Sequence, residues 1–114
     1  MSLLTSNRRK NGSYCFFVEF TVKEQAVDQV NDLMTSQDGL PTTRSQKGCL
    51  SVEVLAEMDN SNHFVLIEKW ESKDDQLAYL KFREEQGPEG ALAQLMPLLD
   101  GEPIFIYWNI DSVY

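Results

Sequence analysis

Apolar and polar side chains alternate from Tyr14 to Val22, with Tyr14, Phe16, Val18, Phe20 and Val22 on one side and Cys15, Phe17, Glu19 and Thr21 on the other. This two-residue period predicts a strand with one strongly apolar face. The period changes at Thr21. Thr21 and Glu24 have the spacing of a capping box, and Ala26, Val27, Val30, Leu33 and Met34 recur at helical intervals, so a helix is expected at once. Asp38-Gly39-Leu40-Pro41 interrupts it, because glycine accepts the positive φ of a helix end and Pro41 disfavours helical geometry at Leu40. Thr42 to Lys47 reads as a short second helical turn.

Gly48 opens another alternating run, Cys49 to Met58, with Leu50, Val52, Val54, Ala56 and Met58 as its apolar side and Ser51, Glu53 and Glu57 opposite. Asp59-Asn60-Ser61-Asn62 is a turn cluster and His63 to Glu71 is rich in β-formers, so the two runs should pair as a hairpin. Ser72 and Asp75 form a second capping signal for a helix through Leu77, Leu80 and Phe82 to about Glu85, which Gly87-Pro88 ends. Ala91 to Leu99 places Leu92, Leu95, Met96 and Leu99 on one helical face, and Asp100 to Pro103 leads to a last strand, Ile104 to Ile110.

The order β-α-β-β-α-α-β predicts an α+β fold, the ferredoxin-like split β-α-β, with an antiparallel sheet and helices on one face. Its first and third strands are central and its second lies at an edge, so Cys15 and Cys49 should sit on strands that are not neighbours and form no disulfide. Helices cover only one side of such a sheet. The other carries Phe17, and on the last strand Phe105 and Tyr107 oppose Ile104, Ile106, Trp108 and Ile110. An apolar open face predicts a homodimer with sheets packed face to face.

The 114 residues suffice for one core, read as a single domain over 14–114 behind a polar tail of residues 1–13. A formal charge of −8 repels phosphate, and Arg8, Arg9 and Lys10 are too few for a binding arm, so no nucleic-acid partner is expected. The tail lacks the apolar centre of a signal peptide and no apolar run reaches membrane-spanning length, which reads as a cytoplasmic protein with no membrane partner. Two cysteines outside any C-x-x-C pair and one histidine signal neither a zinc nor a redox site. No metal or cofactor is expected.

Three segments then carry a resemblance: Gly48-Cys49-Leu50-Ser51-Val52-Glu53-Val54, Phe64-Val65-Leu66-Ile67-Glu68-Lys69-Trp70-Glu71-Ser72, and Asp74-Asp75-Gln76-Leu77-Ala78-Tyr79-Leu80. Together they resemble the antibiotic biosynthesis monooxygenase domain family, the dimeric α/β-barrel monooxygenases. In that family a Gly-Cys-aliphatic start to the second strand is followed by a strand ending in Glu-x-Trp and an acidic, Ala-rich helix. The resemblance implies a homodimer of ferredoxin-like subunits and, in enzymatic members, oxygenation of quinols, anthrones or similar aromatics without metal, flavin or haem. An electron-rich phenolate or carbanion passes an electron to oxygen itself, so the protein need only bind, deprotonate and exclude water. The chain departs from the family where a helix His often follows the Trp by nine residues. Tyr79 stands there, a poor base at neutral pH. The haem-degrading branch needs a helical His, whereas His63 opens the third strand beside a turn and reads as a surface residue.

Glu68 and Trp70 share strand parity with Phe64 and Leu66, so a carboxylate is placed on an apparently buried face. A raised pKa would suit Glu68 to accept a phenol proton, and a structural hydrogen bond or ion pair is its competing role. Trp70 is either a large core aromatic or a pocket wall whose indole N–H orients a substrate oxygen, and Tyr79 either packs helix on sheet or positions substrate. Glu68, Trp70 and Tyr79 are thus the candidate catalytic residues, and Phe64, Leu66 and Trp108 the candidate substrate-binding ones. Tyr107 and Trp108 point to opposite faces, so only one can line the cavity. The leading reading is a cofactor-independent monooxygenase for a small aromatic. A non-catalytic ligand-binding or stress-response dimer is the alternative, and an adaptor using its open sheet a weaker third.

Overall fold

The computed structural model describes residues 14–114, so the polar tail read over 1–13 lies outside the described residues. Four strands, β1 (Tyr14–Thr21), β2 (Cys49–Glu57), β3 (Asn60–Trp70) and β4 (Ile104–Asn109), form one sheet in the order β2-β3-β1-β4. Every neighbouring pair is antiparallel, as the split β-α-β plan requires. Between them run α1 (Val27–Thr35), α2 (Leu40–Ser45), α3 (Lys73–Glu85) and the short α4 (Ala91–Leu95). Among the described residues no helix is long and apolar enough to cross a membrane.

The alternation of β1 sets the layers. Phe16, Val18 and Phe20 lie opposite Glu68, Leu66 and Phe64 of β3, and this even-numbered face packs with Val30, Met34 and Tyr79 of the helices. On β4 the same face carries Phe105 and Tyr107, paired with Val18 and Phe16. The opposite face shows Phe17, Ile106 and Trp108, with the Phe17 and Trp108 rings 5.8 Å apart. There His63 is held between two carboxylates, its Nε2 2.8 Å from Glu19 and its Nδ1 3.3 Å from Glu57, contacts that raise its pKa and tie three strands together. Cys15 and Cys49 are free and on strands that do not touch.

Several local expectations are corrected. The Thr21–Glu24 capping box does not form: Glu24–Ala26 is a 3₁₀ turn whose cap position is Lys23, with no side-chain cap. Gly39 has a φ of −80°, so it is not chosen for a left-handed end. It is there for space, because a Cβ would fall on the carbonyl oxygens of Leu33 and Met34. Gly48 does take a positive φ of 82°, and it lets the start of β2 approach the Asp75 side chain.

Leu50 leaves the apolar side of β2 because the register shifts between Cys49 and Ser51, which puts one extra residue against β3. Met58, also expected on that side, lies in the tight turn and is exposed. The predicted turn over Asp59 to Asn62 shrinks accordingly, and β3 begins three residues earlier, at Asn60. In α4 and the turn after it, Leu99 and Ala91 are buried but Met96 is exposed, since the helix gives way to a 3₁₀ turn over Met96–Leu98.

The largest correction concerns α3. Ser72 caps it as read, accepting from the Asp75 N–H at 3.1 Å. Yet Leu77 and Phe82 face solvent, and the buried side chains are Gln76, Tyr79 and Arg83. These recur at helical spacing, so α3 turns a polar stripe inward.

Candidate active site

A cavity of about 490 Å³ lies between the sheet and the helices. Phe16, Val18 and Leu66 form its floor, Phe105 and Tyr107 a side wall, and Leu40, Leu92 and Leu95 part of its roof. Its polar groups are few: Glu68 from β3, Thr43 from α2, and Tyr79, Arg83 and Glu84 from α3. A mostly apolar recess with a few convergent polar groups is the usual form of a small-molecule site.

Glu68 sits at the sheet centre because strand parity leaves it no other face. Only 4% of it is exposed. Its Oε1 accepts a hydrogen bond from Trp70 Nε1 at 3.0 Å, and among the described residues Oε2 has no hydrogen-bond partner. Burial pushes its pKa up to about 7, opposed by the Trp70 bond and by the charge of Arg83. A carboxyl poised there changes between acid and base at neutral pH.

Trp70 is fully buried behind Glu68, its ring stacked 5.3 Å from Tyr79. It does not line the cavity. Of the two roles read for it the structure shows the core one; the pocket-wall expectation is corrected, because the indole N–H is bonded to the Glu68 carboxylate and the ring does not reach the cavity. A Trp70→Phe variant removes that donor, so the Glu68 midpoint should move to higher pH, at a stability cost on the order of 1–3 kcal/mol. Titration of the Glu68 carboxyl by NMR checks the direction, and an unmoved or lowered midpoint would contradict it.

Tyr79 belongs to a hydrogen-bonded cluster that pattern reading did not foresee. Its hydroxyl lies 2.7 Å from Thr43 Oγ1 and accepts from Arg83 Nε at 2.9 Å, while burial raises its pKa. Arg83 is 4% exposed and spends every donor: its remaining nitrogens reach the carbonyls of Asp38 and Gly39, Gln86 Oε1 and Thr43 Oγ1 at 2.8–3.1 Å. Asp38 also accepts from Gln86 Nε2 and from the Ala91 N–H at the start of α4. Thr43 is 1% exposed and also accepts from Arg83, and in its short contact with Tyr79 either hydroxyl can supply the proton.

Of the six residues singled out in the sequence, Glu68, Leu66 and Tyr79 meet in the cavity. Phe64 is buried beside it and stacks on Phe20 at 5.7 Å. Trp108 is on the open face of the sheet, so the expectation that it touches a ligand is replaced by Tyr107 and Phe105, which the β1–β4 register turns inward. Thr43 and Arg83 went unnoticed because a polar residue in a short turn and an arginine in an acidic helix look solvated. Gln76 is also wholly buried, accepting from Tyr14 at 3.4 Å, and its Nε2 has no partner among the described residues.

The model of the antibiotic biosynthesis monooxygenase family matches residues 13–84, which hold β1 to most of α3 and with them Glu68, Trp70, Tyr79 and Arg83. No curated protein matches the chain. Solved structures share its fold. A conserved protein from Methanosarcina mazei is 19% identical with a TM-score of 0.74, covering 87% of this chain and 93% of its own. A Deinococcus radiodurans protein carrying the antibiotic biosynthesis monooxygenase name is 15% identical with a TM-score of 0.73, covering 89% and 95%. Rv0793 from Mycobacterium tuberculosis is 19% identical with a TM-score of 0.65, covering 84% and 92%. At such identities the structures speak for the fold alone, whereas the family match spans well over half of the sequence. The chain therefore belongs to the antibiotic biosynthesis monooxygenase family.

Proposed function

We propose that the chain is a cytoplasmic, cofactor-independent monooxygenase that binds a small quinol- or anthrone-type aromatic in this cavity and uses Glu68 to remove a phenolic or benzylic proton. The observation that carries this reading is the near-neutral, almost fully buried carboxyl of Glu68 in an apolar recess. A volume of about 490 Å³ accommodates a polycyclic ligand. The chemistry balances without a resident redox group. Glu68 takes a proton, the resulting anion passes an electron to O₂, and recombination forms a C–O bond. Loss of water from the hydroperoxide then converts CH₂ and O₂ to C=O and H₂O. Two free cysteines suit a reducing compartment.

Oxygen uptake with 1,8-dihydroxy-9-anthrone and a panel of quinols tests the proposal. Consumption above that of a Glu68→Gln, Trp70→Phe double variant supports it, and equal rates contradict it. Ligand binding without turnover is the second reading, favoured by Tyr79 at the helix His position with its hydroxyl tied to Thr43 and Arg83. Thermal stabilisation by an aromatic that is never oxidised would select it.

The open sheet face leads us to propose a homodimer as well. Ile104, Ile106 and Trp108 are 53%, 39% and 48% exposed there, beside Phe17. Sedimentation equilibrium should show a dimer at micromolar concentration that Ile106→Glu with Trp108→Glu converts to monomer. A wild-type monomer would rule the dimer out and revive the adaptor reading.

A further inference from the structure

Two polar groups, Glu68 and Tyr79, line the same apolar cavity. Glu68 Oε2 has no donor among the described residues. Tyr79 oxygen accepts from Arg83 Nε at 2.9 Å, and when Thr43 supplies the proton of their 2.7 Å contact the Tyr79 proton has no acceptor among the described residues. Arg83 NH2 closes the triangle by donating to Thr43 Oγ1 at 3.1 Å. Stacking on Trp70 at 5.3 Å, whose indole is bonded to Glu68, holds the phenol ring next to the carboxylate.

We propose that Thr43 and Arg83 are positioning residues that make Tyr79 an obligate hydrogen-bond donor to the ligand, beside the Glu68 acceptor, and so select a planar phenol conjugated to a carbonyl oxygen. The chemistry of such a ligand fits both groups at once. Its hydroxyl gives a proton to Glu68, and the charge left behind spreads through the ring onto the carbonyl oxygen. Tyr79 donates to that oxygen, with the guanidinium of Arg83 directly behind it, and hydrogen bonds to a charged oxygen are the strong ones. A phenol without the carbonyl satisfies Glu68 but leaves Tyr79 unmet. A ketone without the phenol does the reverse.

The inference rests on the cavity being the ligand site but not on turnover, so its test is equilibrium binding under nitrogen. Isothermal calorimetry would compare 2-hydroxyanthraquinone, whose hydroxyl is conjugated to a ring carbonyl, with 2-anthrol, which has the same three rings and no carbonyl. Tyr79→Phe should weaken the first by about tenfold and the second by less than about twofold. The intact affinity for 2-anthrol shows that the variant is folded. Thr43→Val should reduce the preference for the carbonyl ligand and Thr43→Ser should restore it. The sign decides the proton direction, because a Tyr79 that donates to Thr43 would be freed by valine and would bind the carbonyl ligand more tightly. A gain in Thr43→Val, equal losses for both probes in Tyr79→Phe, or no binding of either probe to the wild type overturns the proposal. Oxygen uptake that persists alongside any of these would leave the monooxygenase reading standing and sink only this inference.

Discussion

Glu68→Gln is expected to lower oxygen consumption by about 10²–10⁴-fold, the usual contribution of a positioned general base. Glutamine is close to isosteric and can still accept from Trp70 Nε1, so the cavity keeps its shape while losing its proton acceptor. The same substitution should change the pH dependence of stability. The folded pKa of Glu68, about 7, is above the ordinary 4.5, so the folded state holds its proton more tightly than the unfolded chain. Its stabilising contribution is full below pH 4.5 and is lost as pH rises to about 7, a loss on the order of 3 kcal/mol. Urea denaturation at pH 4.5 and at pH 8 should show that decline in the wild type and a smaller one in Glu68→Gln. Activity moves the other way, rising as Glu68 ionises through neutral pH. A variant that consumes oxygen at the wild-type rate would remove Glu68 from the mechanism.

Arg83→Met should be the most damaging single change to the fold. It strips donors at once from the Asp38 and Gly39 carbonyls, Thr43 Oγ1, Gln86 Oε1 and the Tyr79 hydroxyl. These acceptors lie where the connection between α1 and α2 meets the C-terminal half of α3, too deep for water to replace every lost bond. The expected cost is about 3–5 kcal/mol, as for breaking a buried charged network, or a fall in Tm on the order of 20 °C. Arg83→Lys keeps the charge but not the planar fork, so it should recover only part of the loss. Thermal denaturation of the two variants measures this. A loss below about 1 kcal/mol in Arg83→Met would mean that the cluster is not what joins α3 to α2.

The strand order, the Ser72 cap and the burial of Glu68 were legible in the sequence because each depends on a local period or a three-residue spacing. What hydropathy could not show is why α3 buries Gln76, Tyr79 and Arg83 in preference to Leu77 and Phe82. That choice depends on partners distant in sequence: Thr43, Asp38 and Gly39 supply acceptors that make burying a guanidinium tolerable. The spacing Gln76, Tyr79, Arg83 was the available signal, a helical stripe of large polar side chains among carboxylates and lysines. Trp108 and Tyr107 posed a different problem. Alternation assigns them to opposite faces, but only the β1–β4 register, with Tyr107 against Phe16, says which one enters the cavity. Leu50 was lost to a bulge, which adds a residue without disturbing the apparent pattern.

The proposed chemistry depends on one ionisable group in one environment. The carboxyl carbon of Glu68, assigned by its absence in Glu68→Gln, can be followed by ¹³C NMR from acid to alkaline pH in the ligand-free protein. A midpoint near 7 is predicted, and a midpoint near the ordinary 4.5 would contradict the buried-base reading directly.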